Sequence, residues 1–296
     1  MKQYFHGENK SGPYFEGWYF KCQTRDGYAL ALIPAMHICE DGKQSASIQV
    51  ITEDEAWWLE YPDSSFEASR NSLQIRIGGN CFSEAGLLLD VECEGLSLHG
   101  AVNFGPFRFL KSDIMGPFRW LSNMECAHSV ISMGHSLEGQ LKLNGRVVDL
   151  CGGLGYIEAD RGKSFPDAYL WTQCVWKECS LMLSVATIPF GKLRFNGCIC
   201  AIVLNGQEYR IATYRGAKLE SWSERGAILR QGKYRLEVQL LEQSAQPLRA
   251  PLDGAMNRII HESLCARVMY RFWRDGELLL DYTDAHAGFE FSRNQL

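Results

Sequence analysis

No excess of basic charge marks this chain: 30 lysines and arginines stand against 35 aspartates and glutamates, for a net charge of −5. A surface that binds nucleic acid by releasing counterions is therefore not expected. Long apolar runs are missing too. The longest uncharged stretches, around Tyr28–Cys39 and Cys179–Gly191, are too short to cross a bilayer and contain proline. The start, MKQYFHGENK, has no apolar signal core, so the expectation is a cytoplasmic protein without a transmembrane segment. Eleven cysteines form no CxxC pair and are read as reduced thiols that fill cores. Catalytic signatures are equally scarce. IEADRGKS has Ile157 where a phosphate-binding loop needs glycine, and Glu158 and Asp160 would repel phosphate. There is no HExxH and no GxSxG, and His128 and His135, seven apart, would face opposite sides of a strand. Neither a metal nor a cofactor is expected.

What the chain does have is turns. Its 296 residues, 46% of them hydrophobic, can build a sizeable core. Asp26-Gly27, Asp41-Gly42, Asn144-Gly145, Asn205-Gly206 and Asp275-Gly276 fall between short apolar runs, and such dipeptides tolerate the positive φ of tight hairpins. Around Asn144, Leu137, Leu141 and Leu143 alternate with Gln140 and Lys142, a period of two. The same alternation runs through KYRLEVQLLE and ARVMYRFW. LDGAMNRIIHES, Leu252–Ser263, is the best short helix. The expected fold is all-β, with few short helices and two consecutive antiparallel barrels or sandwiches of about 150 residues each. The domains are placed at 1–155 and 156–296, with glycine-rich Cys151–Asp167 as the crossing segment.

Two stretches carry chemistry. In GPYFEGWYFK, Gly12–Lys21, alternation puts Glu16, Trp18 and Phe20 on one face, and Phe15, Gly17, Tyr19 and Lys21 on the other. A carboxyl in a closed aromatic cavity is desolvated, which would raise its pKa and keep a protonated acid near neutral pH. Ring faces beside it would stabilise a developing cation by roughly 0.5–2 kcal/mol each. The same glutamate could instead pair with an arginine or lysine, or cap backbone N–H groups where the strand begins. The second stretch, GYIEADRGKSFPDAYLWTQC, reads as a polar loop leading into a strand on which Tyr169, Trp171 and Gln173 share a face. Glu158 and Asp160 point together if extended, and two close carboxylates push one pKa upward. A solvated acidic turn beside Arg161 and Lys163 is the alternative. His135 reads as a hydrogen-bonded core histidine, and Arg249 and Arg258 as structural.

FEGWYFK at Phe15–Lys21, YIEADRGKSFPDAYLWTQC at Tyr156–Cys174 and PLRAP at Pro247–Pro251 resemble, in order, three signature regions of the tocopherol cyclases and their shorter bacterial relatives. The resemblance spans nearly the whole chain. It implies two lipocalin-like β-barrels, similar to those of carotenoid hydratases and lipocalin-like pericyclases. Plant members close the chromanol ring by protonating an isoprenoid double bond, which a phenolic oxygen then attacks. For this chain the resemblance implies cofactor-independent, proton-initiated cyclisation or isomerisation of an apolar prenylquinol-like substrate. Glu16, Glu158 or Asp160 would supply the proton, and Trp18, Phe20, Tyr156, Tyr169 and Trp171 would line the substrate. Gln173 would orient a substrate oxygen. Ala159 and Arg161 stand where that family carries a lysine and a tryptophan. The expected partner is a hydrophobic small molecule, with at most transient contact with a membrane surface. A non-catalytic carrier of a lipid, isoprenoid or pigment is the other reading; it needs the rings and not the acid.

Overall fold

The structure, a computed structural model, describes residues 4–120, 124–190 and 193–293. Two antiparallel sheets account for most of it. The first has twelve strands: β1 (Tyr14–Gln23), β2 (Ala29–Ile38), β3 (Gln44–Ile51), β4 (Ala56–Pro62), β5 (Phe66–Ala68), β6 (Gln74–Ile77), β7 (Asn80–Ser83), β8 (Gly86–Cys93), β9 (Leu96–Phe104), β10 (Cys126–Leu143), β11 (Arg146–Asp149) and β12 (Gly153–Gly162). The second has ten: β13 (Ala168–Trp176), β14 (Cys179–Phe190), β15 (Leu193–Leu204), β16 (Gln207–Ala212), β17 (Lys218–Ser223), β18 (Gly226–Gln231), β19 (Tyr234–Glu242), β20 (Gln246–Leu252), β21 (Ala255–Arg274) and β22 (Glu277–Arg293). Among the described residues the longest helical element is the five-residue 3-10 turn Gly116–Trp120. Among the described residues no helix is long and apolar enough to cross a membrane.

Both sheets are meanders whose ends meet in the middle. In the first, β1 lies between β2 and β12; in the second, β13 lies between β14 and β22. The pairing of β1 with β12 sets Phe15 opposite Gly162 and Tyr19 opposite Glu158, which joins two signature stretches far apart in the chain. The chain divides into two compact units. One comprises residues 4–109, 124–165 and 249–259, and the other 110–120, 166–190, 193–248 and 260–293. Residue 155 lies inside β12, and the first unit continues to residue 165.

Each unit encloses its own core, and strand parity decides which side chains enter it. Tyr14, Trp18, Phe20 and Cys22 of β1 join Ile157 and Ala159 of β12 in the first core. Burying a large ring of this kind contributes roughly 2–3 kcal/mol. Leu170 and Cys174 of β13 enter the second core with Leu181, Leu183 and Val185 of β14.

Turn chemistry shows where the sequence reading held and where it failed. Asn144-Gly145, Asn205-Gly206 and Asp275-Gly276 have positive φ at both residues, the primed geometry that matches strand twist. At Asp26-Gly27 and Asp41-Gly42 the glycine alone does. The helix expected at Leu252–Ser263 does not form. Asp253 and Gly254, at φ of 49° and 78°, make one more primed turn between β20 and β21. The dipeptide outweighs the weak helical spacing around it. The polar loop expected at the start of GYIEADRGKS is a central strand instead, β12. Its glycines serve close approach: a Cβ at Gly153 would meet the Gln23 carbonyl at 2.3 Å, and one at Gly155 the His135 ring at the same distance. Gly254 faces a similar limit, with the Ile38 carbonyl oxygen 2.0 Å from where a Cβ would lie. Gly254→Ala is therefore expected to lower stability by about 2 kcal/mol or more, read as a drop in the thermal midpoint.

Candidate functional site

The three acids singled out in the sequence do not converge. Glu16 is paired across β1–β12 with Arg161, and Trp18 with Ala159, on the interior face of the first unit. Glu158, Asp160 and Tyr156 project from the opposite face of β12, beside Tyr19 and Lys21 of β1. Parity makes this unavoidable, since residues at odd spacing across the pair cannot share a side.

On the interior face Glu16 is 2% exposed. Its Oε2 accepts the His6 backbone N–H and the Tyr14 hydroxyl, each at 2.8 Å, and its Oε1 meets His6 Nδ1 at 2.8 Å. Burial and the Glu16 charge push the Tyr14 phenol far up. The carboxylate thus fastens the segment before β1 to the sheet, accepting a backbone N–H as the alternative reading anticipated. Trp18 lies beside it, with its ring 6.3 Å from Phe5 and stacked at 6.4 Å on Phe66. Ala159 and Arg161 lie by parity on this interior side of β12. Arg161 donates to Ser129 Oγ at 3.2 Å.

The opposite face carries a row of neighbouring ionisable side chains, Tyr156, Glu158, His128, Asp160 and Cys126. Tyr156, wholly buried, donates to Glu158 Oε2 at 2.6 Å. That same oxygen lies 3.5 Å from His128 Nε2, and His128 Nδ1 lies 2.9 Å from Asp160 Oδ1. Cys126 donates its thiol to Asp160 Oδ1 at 3.5 Å. Burial, then the Glu158 charge, hold the Tyr156 phenol well above its usual range, and burial with Asp160 does the same for the Cys126 thiol. The expectation that Glu158 and Asp160 point together is met, and His128 is what joins them. It arrives from β10, opposite Asp160, on a strand whose pairing with β12 shifts register twice between Val130 and His135. No local signal in the sequence marks it.

Ligand atoms of His128, Glu158 and Asp160 all lie within 4.8 Å of one another, so these three could also hold a metal ion. Of the two imidazole nitrogens, Nδ1 is hydrogen-bonded to Asp160, while Nε2 stands 3.5 Å from Glu158 Oε2 at ion-pair distance without a hydrogen bond between them. Elsewhere in the first unit, His135 is a core histidine, as expected. Its Nδ1 meets Ser132 Oγ at 3.0 Å and its ring lies between Phe104 and Phe107. Arg249 stacks its guanidinium 5.2 Å from the Trp58 ring centre, and Arg258 donates to the Phe165 carbonyl at 3.3 Å.

In the second unit, Tyr169, Trp171 and Gln173 share the face of β13 directed away from that unit's core. Tyr169 donates its hydroxyl to Glu290, and Glu290 sits opposite Trp171 on β22. Glu262 of β21 is in turn opposite Glu290, and both are buried. These two acids are candidates that the sequence reading missed, because only the β21–β22 register brings them beside the signature strand.

No family model matches the sequence, and no curated protein matches it. Among solved structures, the chain is similar to CghA, with a TM-score of 0.58 at 10% identity over 95% of this chain and 89% of that one. It is similar to kievitone hydratase from Nectria haematococca, at 0.56 and 8% identity over 98% and 93%. It is also similar to an AttH-like protein from Nitrosomonas europaea, at 0.55 and 14% identity over 94% and 92%. At such identities the likeness establishes a shared all-β fold with two antiparallel sheets.

Proposed function

We propose that this protein is a cofactor-independent, tocopherol cyclase-like enzyme that transfers a proton to an apolar, prenylquinol-like substrate and so starts a cyclisation or isomerisation. The observation that carries the reading is the row Asp160–His128–Glu158–Tyr156, in which every member but the half-buried Asp160 is buried. Asp160 holds the imidazole by Nδ1 and leaves Nε2 3.5 Å from Glu158 Oε2, a gap that must close by a few tenths of an ångström before a proton passes between them. Tyr156 fixes the rotamer of that carboxyl by donating to the same oxygen. Glu16, with three contacts already on its two oxygens, is assigned the positioning of the segment around His6. Tyr156 is proposed as a substrate contact of the first unit, and Tyr169, Trp171 and Gln173 are proposed separately as ligand contacts of the second unit. Aromatic walls exclude the water that would quench a carbocation. One structural neighbour is named a hydratase, a class of reaction that also needs proton transfer to or from carbon.

A non-catalytic carrier is the second reading, favoured by the aromatic lining of the first unit's interior, where Phe20 packs against Phe82 and Phe104 near Trp18. The two readings separate on a panel of prenylated quinols followed by mass spectrometry. An enzyme returns an isomer or ring-closed product. A carrier returns its ligand unchanged and loses affinity, by tenfold or more, in Trp18→Ala.

A further inference from the structure

We propose that Gln173 and Ser180 form an anchor for an uncharged ring that carries both a hydrogen-bond donor and an acceptor on one edge, as a phenol, a quinol or a lactam does. The proposal rests on the reading that Gln173 contacts ligand, and it names the chemistry that the contact selects. Gln173 is wholly buried, and neither its Oε1 nor its Nε2 has a partner among the described residues. Ser180, also wholly buried, has an Oγ in the same condition. These are two independent vacancies of hydrogen bonding, and buried polar groups in folded proteins are rarely left so.

The two side chains belong to one patch. Gln173 pairs with Met182, and Val175 with Ser180, across β13 and β14, which makes Gln173 and Ser180 diagonal neighbours on a single face. Such neighbours stand about 7–8 Å apart, within reach of one bridging group. The residues around them are buried and apolar: Val175, Met182, Ala201 and Val203. Trp171 supplies a flat wall. Gly288 lies directly across from Gln173, and a Cβ there would come within 2.8 Å of the Trp171 indole, so the glycine lets that ring lie against the backbone beside the amide.

Satisfying every atom restricts the ligand. The carboxamide offers N–H donors and a carbonyl acceptor, and the hydroxyl offers one of each. A carboxylate, ketone or ether only accepts and would leave Gln173 Oε1 unpaired. An ammonium only donates and would leave Nε2 unpaired. Neither Gln173 nor Ser180 is charged, so neither offers a counter-charge to offset the cost of burying an anion. A phenolic hydroxyl or a lactam edge answers both needs.

Binding of 2-geranylhydroquinone and of its dimethyl ether, which can only accept, tests this on the full chain by tryptophan fluorescence. The wild type should prefer the quinol at least tenfold. Gln173→Met, which keeps volume, should bring the two probes within about threefold without lowering the thermal midpoint, since it removes two unpartnered polar atoms. Ser180→Ala should weaken the preference in the same direction. Glu158→Gln should retain the wild-type preference, so that failure of the anchor and failure of proton transfer are told apart. Equal affinity for the two probes, as when Gln173 and Ser180 hold only ordered water, overturns the anchor. So does a preference that survives Gln173→Met, or no binding of either probe.

Discussion

Glu158→Gln should lower turnover of a prenylated quinol by about 10²–10⁴-fold, the usual contribution of a positioned acid or base, while ligand affinity stays within a few-fold. The substitution preserves size and still accepts the Tyr156 hydroxyl through its carbonyl oxygen. It cannot hold a transferable proton, and its amide can turn a donor rather than an acceptor toward His128 Nε2. Glu16→Gln makes the same chemical change on the other face of the same sheet pair. There the amide cannot accept equally well from His6 and Tyr14, so the expected loss is one of stability, about 2 kcal/mol for weakened charge-assisted bonds, with turnover reduced far less. If Glu16→Gln instead abolished turnover and Glu158→Gln left it intact, the working acid would lie in the interior of the first unit.

The second large effect is on stability in acid. His37 is buried with its Nε2 2.8 Å from Ser47 Oγ, and desolvation lowers its pKa to about 4. Desolvation likewise lowers His135 to about 3. Above the ordinary histidine value of about 6.5 both rings are neutral in the folded and unfolded chain, and neither affects the balance. Below it the unfolded chain takes up protons that the folded rings refuse, so stability falls with falling pH. By pH 4 each ring costs about 3 kcal/mol, at about 1.4 kcal/mol per pH unit, and His135 goes on costing down to about pH 3. Two such losses approach the whole stability of an ordinary domain, about 5–15 kcal/mol. Denaturant titrations between pH 7 and 4 should therefore show a steep decline. His135→Leu should flatten it by about one proton's worth of slope, whatever its effect on stability at neutral pH. A slope unchanged by that variant would contradict the assignment of a buried neutral ring.

Much of the fold was legible because hairpins advertise themselves locally. Asn144-Gly145, Asn205-Gly206 and Asp275-Gly276 announced both their turns and the alternation on either side. Asp253-Gly254 carried the same signal and was passed over for a helical spacing that tertiary context did not support. Glycine misled in β12, where Gly153 and Gly155 mark crowding by a neighbouring carbonyl and by an imidazole, not flexibility. The faces of β1 and β13 could be read by parity alone. Which of those faces shared a neighbour could not, since the β1–β12 and β21–β22 registers join residues that are remote in sequence. His128 is the clearest case. Two register shifts in β10 separate it from the core histidine His135, and only the β10–β12 pairing sets it between Glu158 and Asp160.

The central claim is that a protein-borne proton from the His128–Glu158 pair reaches carbon. Product formed in deuterium oxide from a prenylated quinol, analysed by mass spectrometry, tests it most directly. One deuteron bound to carbon per product molecule, lost together with turnover in Glu158→Gln, is the predicted result. Product free of carbon-bound deuterium, or ligand recovered unchanged, would contradict it.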